Sequence, residues 1–326
     1  MFVVNLAFIR SSNGMFWFAI DKIKSLGGEQ ASCLVLAHDT LIPLIQREIP
    51  LVRVEGASRL AAWKKIVALK RRNGASMRTV TFTSHPIPFL RKQTIAFYDD
   101  YPFEGWSGLI KRMLFVVAAS TSRSRIGIIN RSRAIPFLQN KCRIPAERIF
   151  FDSAFPTVDI TGLPARLAVP RTPLHIGLVG TDSFKKDYAS VFSAVKDLGV
   201  EQDVCFVIYG AENDYTNELQ RDFPDINQTI LASDTVQMPA FFAAIDYLAS
   251  AATAEGYGRP MGLAATLGVP MFLLRSPVFL EFFSNHALFF DNIGAMIRYL
   301  VVERPTASIS IQPNIAATQT RSPFFE

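Results

Sequence analysis

The run Ala254-Glu255-Gly256-Tyr257-Gly258-Arg259-Pro260, followed by Gly268-Val269-Pro270, constrains this chain more than any other stretch. A carboxylate stands just before two glycines that flank an aromatic. An apolar helix follows, and Gly-Val-Pro then opens a strand. Gly256 and Gly258 let backbone approach a ligand that a Cβ would hold away. The helix turns its first N–H groups toward polar or anionic atoms, and Glu255 adds an acceptor suited to sugar hydroxyls. The plain alternative is a strand–loop–helix junction whose turn needs glycine.

The rest of the chain alternates short apolar strands with helical stretches. Phe2 to Ile9 reads as a strand, a helix starts after Ser12-Asn13-Gly14 and runs to Ser25, and Ser32 to Ala37 is the next strand. Thr79 to Thr83 and Thr94 to Tyr98 are further strands with polar ends. This βαβ rhythm predicts a parallel sheet with helices on both faces. Ligands of such sheets bind beyond the carboxyl ends of the strands. With 326 residues, 49% of them hydrophobic, the chain is long enough for two α/β domains. The expected division is 1–165, 166–303 and a tail 304–326, rich in Ser, Thr, Pro and Gln, loosely ordered or laid across the surface. Residues 146–171 read as the passage between the halves.

Over roughly residues 170–292 the chain resembles the GT-B glycosyltransferases, in their large retaining family marked by Glu-Gly-(Phe/Tyr)-Gly-x-Pro-x-x-Glu and then Gly-x-Pro. His175-Ile-Gly-Leu-Val-Gly180 is similar to the first strand of the nucleotide-binding half. Phe206-Val-Ile-Tyr-Gly210 corresponds to a strand ending in a Gly loop, and Met238 to Ser250 to a helix and the strand before Glu255. Ser276-Pro277 through Glu281 to Asp291 follows the closing pattern. The resemblance implies two Rossmann-like domains facing across a cleft, with a nucleotide-sugar as co-substrate and no further cofactor; Asp99-Asp100 is not the Asp-x-Asp metal motif of the other main glycosyltransferase fold, so no catalytic metal is expected. It implies that Lys186, or its neighbour Lys185, neutralises the diphosphate and that Glu255 holds the donor sugar. Gly210 and the backbone of Gly256, Tyr257, Gly258, Arg259 and Pro260 would line the donor pocket. In the first domain Gly14 aligns with a loop that contacts the donor phosphate in the family, the alternative being a plain helix start.

Two positions depart from the pattern. The second Glu, which holds ribose hydroxyls in relatives, is Leu263 here, and the Arg five residues before the phosphate Lys is Thr181. These departures keep open a non-catalytic partner subunit, beside a transferase and a sugar-nucleotide epimerase of the same fold. A dinucleotide dehydrogenase is disfavoured, because Gly177-Leu-Val-Gly180 lacks the Gly-x-Gly-x-x-Gly fingerprint.

Candidate bases lie in the first half. His85, in Thr-Ser-His-Pro, follows a strand and is suited to accept a proton or bond a substrate, or else to cap a loop. Asp99 and Asp100 follow the strand ending at Tyr98, where the family often bears a catalytic His. Adjacent side chains on extended backbone point apart, so at most one faces the cleft. Either would serve as general base to an acceptor hydroxyl. The alternative is an Asx turn before Pro102. An Asp base would suit inversion, so the stereochemical course stays open.

Charge is unevenly spread. Residues 1–165 hold 23 Lys and Arg against 11 Asp and Glu, a net +12, and residues 166–326 hold 11 against 17, a net −6. Such asymmetry points the first half at something anionic. No nucleic-acid motif accompanies it, so a membrane surface or an anionic lipid-linked or cell-surface glycan acceptor fits better. The basic, Trp-bearing helix Arg59 to Arg72 is the candidate interfacial segment, unless its apolar stripe packs on its own core. The Arg123, Arg125, Arg131 and Arg133 series offers phosphate ligands. The longest apolar run, Met113 to Ala119, is expected to be a buried helix or strand, well short of the ~20 residues of a membrane span. Three scattered cysteines argue against disulfides and for a reducing, cytoplasmic setting. The protein is expected to be soluble, or peripheral at an inner membrane face.

Overall fold

A computed structural model of the chain describes residues 1–98, 100–152, 170–181, 184–233, 238–252, 255–303 and 322–325. They fall into two compact units, Met1–Thr157 with Ala317–Glu326, and Val158–Ala316. Each is a parallel α/β sheet with its own core.

In the first unit the strands are β1 (Phe2–Leu6), β2 (Cys33–Ala37), β3 (Arg53–Gly56), β4 (Arg78–Thr81), β5 (Gln93–Phe97), β6 (Arg125–Ile128) and β7 (Ile149–Phe151). They pair in the order β3-β2-β1-β4-β5-β6-β7, all parallel. β1, β2 and β5 are buried along their whole length. That explains their near-continuous apolar runs, the mark of a sheet covered on both faces. Residues 149–151, expected in the passage between halves, instead pair with β6 as the edge strand. Of that passage, 153–169 lie outside the described residues.

The helices of this unit are α1 (Gly14–Lys24), α2 (Ile42–Glu48), α3 (Arg59–Asn73), α4 (Gly105–Ser122) and the short α5 (Ala134–Pro136). Asn13 caps α1, its Oδ1 accepting from Phe16 N at 3.1 Å, and Lys22 and Lys24 sit in the last turn, where cations oppose the helix dipole. The α3 stripe packs on its own core. Ala62 and Ile66 are buried in it, with Trp63 and Val67 against them, and only Leu60 points out. α4 departs from expectation. It buries Phe115, Ala118 and Ala119 but leaves Met113, Leu114 and Val117 exposed, because only one face of an amphipathic helix can meet the sheet.

Residues 304–321 lie outside the described residues, but the last described ones do not lie across the surface. Phe324 and Phe325 are 1% and 0% exposed, seated in the first unit. Phe324 meets Phe18 and Phe150 edge-on at 5.8 and 5.1 Å, and Phe82 lies 5.3 Å away. Arg78 Nη1 donates to the Phe325 carbonyl at 3.0 Å. Ser322 Oγ bonds the buried Asp152 carboxylate, whose other oxygen takes Lys22 Nζ at 2.6 Å. Gly127 of β6 makes room, since a Cβ there would strike the Phe324 ring.

The second unit holds β8 (Leu174–Val179), α6 (Tyr188–Leu198), β9 (Val204–Gly210), α7 (Asp214–Asp222), β10 (Gln228–Ala232), α8 (Met238–Ala244) and β11 (Tyr247–Ser250). These are followed by α9 (Arg259–Thr266), β12 (Met271–Leu274), α10 (Pro277–Phe283), β13 (Ala287–Phe290) and α11 (Ile293–Arg298). The parallel sheet runs β10-β9-β8-β11-β12-β13. Gly177 of β8 lies under Phe241 and Ile245, with no space for a Cβ, so that glycine serves strand–helix packing. The buried Asp246 gathers the backbone N–H groups of Arg171 and His175 and the Arg171 guanidinium, at 2.8–3.1 Å, which fixes how the chain enters β8.

Cys33, Cys142 and Cys205 are free and buried. Burial pushes the Cys33 thiol up to about 12 and that of Cys142 up to about 11, and raises Cys205 as well. Thiolates are the reactive form. Ellman's reagent at pH 8 should therefore label essentially none of the three before unfolding and all three in denaturant. Rapid native labelling of any one would contradict this burial.

Candidate functional site

Each sheet reverses its strand order once, between β1 and β4 in the first unit and between β8 and β11 in the second. The crevice beyond the carboxyl ends at such a reversal is where open α/β sheets take ligands. Both reversals carry residues singled out in the sequence.

In the second unit Lys186 follows β8 and Glu255 follows β11. The topology brings these residues together as an ion pair, with Lys186 Nζ 2.6 Å from Glu255 Oε1. Their side chains are 18% and 20% exposed, so the pair is sheltered but within reach of a ligand. The two groups expected to grip a diphosphate and a sugar thus hold each other. Lys185 is half-buried beside them. Asp187, at φ +52°, turns the chain into α6 and accepts from Ser190 Oγ at 2.7 Å.

Thr181, the position without the expected Arg, is a packing residue. Its Oγ1 donates to Ala211 O at 2.7 Å, and Asn213 Nδ2 donates to the Thr181 carbonyl at the same distance. A Cβ on Gly210 would meet Thr181 Oγ1 at 2.5 Å. Gly210 therefore lets the loops after β8 and β9 close on each other.

The glycine-flanked segment turns into α9 through Gly258, whose φ of +83° is a left-handed conformation that glycine adopts freely. Tyr257 is 3% exposed, its ring edge-on to Phe282 at 4.8 Å and 5.7 Å from Phe283. Burial pushes its phenol far up. That side chain lies in the core, Gly256 is half-buried and Gly258 buried, and Arg259 and Pro260 open α9. Leu263, at the place of the second Glu, is a buried core residue. Thr253 and Ala254 lie outside the described residues.

In the first unit Phe8 follows β1 and His85 follows β4. Their rings stack at 4.7 Å and 15°. The Arg59 guanidinium sits 5.0 Å from the Phe8 centroid, and Trp63 lies 6.2 Å away. His85 is exposed on its other side; partial desolvation, with Arg59 and Lys111, lowers its pKa, so the imidazole is neutral near pH 7. Phe8 was not singled out in the sequence, and Arg59 only as the start of the candidate interfacial helix; an aromatic directly after β1 was the available signal.

Gly14 is exposed at the start of α1, and Tyr98 Oη donates to the Met15 carbonyl at 3.1 Å, tying the end of β5 to it. Asp99 lies outside the described residues. Asp100 pairs with Arg133 at 2.6 Å, and Arg133 also reaches Glu104 at 3.4 Å. Asn130 braces this corner, donating to the Tyr98 carbonyl at 2.9 Å. Others of the basic series are engaged too, Arg125 over Phe150 at 4.8 Å and Arg131 over Phe151 at 4.5 Å.

No protein-family pattern and no curated protein sequence matches the chain. Solved structures do. Alr3699/HepE of Anabaena, solved in complex with UDP and glucose, superposes with a TM-score of 0.72 at 15% identity, covering 95% of this chain and 92% of that one. WaaG, a glycosyltransferase involved in lipopolysaccharide biosynthesis, gives 0.63 at 12% identity over 94% and 92%. Sucrose-phosphate synthase of Thermosynechococcus elongatus gives 0.62 at 10% identity over 98% and 92%. Matches this extensive, at identities this low, identify an architecture: the chain has the GT-B fold, two parallel α/β domains in one polypeptide.

Proposed function

We propose that the chain is a glycosyltransferase that moves a sugar from a nucleotide-sugar to a hydroxyl of a glycan or glycolipid. The observation that carries this reading is the Lys186–Glu255 pair at the strand reversal of the second unit. A cation there meets a diphosphate, and a carboxylate meets sugar hydroxyls. Arrival of the donor exchanges one internal ion pair for two ligand contacts. Lys186, with the start of α9, supplies the positive charge that a leaving diphosphate needs, so transfer is proposed to be independent of metal. A structural neighbour bound to UDP and glucose makes uridine donors the first to try.

The acceptor is assigned to the strand reversal of the first unit. There the neutral His85 imidazole is the candidate base for the acceptor hydroxyl, with Asp99 as an alternative. Asp100 is committed to Arg133 and is the weaker candidate.

The test is calorimetric titration of UDP-, GDP-, dTDP- and CMP-sugars into wild type and Glu255→Ala. Micromolar binding of one donor is expected. Loss of Glu255 should weaken it by about ten- to a hundredfold, the worth of a hydrogen bond to a charged group. The bare nucleoside diphosphate should bind the variant more tightly, because Lys186 is released from its partner. The buried Leu263 and the packed Thr181 favour a second reading, a GT-B-like subunit without catalysis. Absence of binding by every donor would select it.

A further inference from the structure

We propose that Phe89 is a stacking platform for a sugar ring of the acceptor. This rests on the glycosyltransferase reading above and names the group that the loop after β4 would recognise. Phe89 stands in the turn Ile87–Leu90, which Leu90 N closes by donating to the Ile87 carbonyl at 3.3 Å. Pro88 holds the second position of that turn and Phe89 the third, at φ +60°. This is the type II arrangement, whose third position calls for glycine or asparagine. A bulky side chain is strained there. Burial does not offset the strain, because Phe89 is 78% exposed. Local conformation and core packing thus both argue against an aromatic at this place. Strain of this kind that neither explains points to a ligand.

The turn is pinned on both sides. Ile87 and Leu90 are buried in the core that also holds Ala62 and Ile66 of α3. Gln93, 1% exposed at the start of β5, clamps the backbone of Ile87. Its Oε1 accepts from Ile87 N at 3.0 Å, and its Nε2 donates to the Ile87 carbonyl at 2.7 Å. A ring presented on so fixed a backbone loses little freedom when a ligand settles on it. The residues around it identify the occupant. Ser84 and His85 precede the turn and Arg91 follows it. Among the described residues, the side chains of these three make no hydrogen bond or ion pair. One flat apolar ring amid unused hydrogen-bonding groups matches a pyranose, which offers a C–H face to the ring and hydroxyls around its rim. A protein or lipid surface would call for a wider apolar patch, yet within 84–92 Phe89 is the one exposed large apolar residue. It lies four residues beyond His85, at the strand reversal to which the acceptor is assigned.

The experiment is saturation-transfer NMR of the full chain with methyl β-D-glucopyranoside, methyl β-D-galactopyranoside and methyl α-D-mannopyranoside. Wild type should bind at least one of them, and Phe89→Tyr, which keeps the flat ring, should bind it as well. Phe89→Leu and Phe89→Gly should bind it at least about fivefold more weakly. Leu51→Ala, at an exposed leucine on another turn, should bind as wild type does. Phe89→Gly should melt no lower than wild type, because glycine takes the positive φ freely, so its weaker binding is not unfolding. No glycoside bound by wild type overturns the proposal. So does binding by Phe89→Leu equal to that of wild type, which would mark a plain apolar contact such as a lipid chain. Calorimetric donor titration of the same samples keeps the two readings apart. Glycoside binding lost with Phe89→Leu while no nucleotide-sugar binds would uphold the sugar platform and remove the transferase. Nucleotide-sugar binding without any glycoside would do the reverse.

Discussion

Lys186→Ala is expected to lower kcat for sugar transfer by about 10²- to 10³-fold, the effect of removing one preorganised charge or donor from a developing anion. Breaking the bond to the donor sugar loads negative charge onto the departing diphosphate. In the proposed reaction that charge would fall to Lys186, which the turn after β8 places 2.6 Å from Glu255. The interaction strengthens as the bond breaks, so the loss should fall mainly on kcat, with a smaller rise in KM. The variant also leaves the Glu255 carboxylate without its cation. Lys186→Arg serves as the control, since it keeps the charge and should recover part of the rate. Steady-state kinetics with the donor found by calorimetry decides the matter. An unchanged kcat in Lys186→Ala would remove Lys186 from the chemistry.

Loss of the C-terminal anchor should be the largest stability effect. Phe324→Ala empties a fully buried aromatic site among Phe18, Phe82 and Phe150, at a cost of about 3–5 kcal/mol for such a substitution. At about 2–4 °C per kcal/mol for a unit of this size, the melting temperature should drop by roughly 10 °C. Deletion of residues 322–326 should cost more, since it also strips Asp152 of Ser322 and Arg78 of the Phe325 carbonyl. Trp17, Trp63 and Trp106 all belong to the first unit, so tryptophan fluorescence reports its melting alone. Unchanged melting by that signal would mean the anchor adds nothing to the fold.

The GT-B architecture was largely legible before any coordinates. Its strands are short apolar runs buried on both faces, so β1, β2, β5 and β8 announce themselves by composition. The loops that close them carry Gly, Ser or Asn where a helix begins, as Asn13 does for α1. The elements less plain in sequence are those stabilised from elsewhere. β7 is three half-buried residues that become a strand because β6 offers it a free edge. The two C-terminal phenylalanines sit after a polar tail, and nothing local says that Gly127 has left a space for one of them.

The site divides in the same way. Glu255, the glycines after it and Lys186 stand out by residue type and spacing. The 2.6 Å pair between them depends on β8 and β11 being neighbours across 69 residues. The stacking of Phe8 on His85 likewise depends on β1 pairing with β4. The run Met113 to Ala119 reads as core in one dimension, yet half of it faces out, because the helix that carries it has one side against the sheet and one side free.

Local chemistry therefore determined the strands, the caps, the glycine turns and which residue types were available for a ligand. Only the tertiary structure decided which of them meet and which apolar faces stay uncovered. Propensity and alternation act over a few residues, whereas partners and exposure are set by strand order and by what each face packs against.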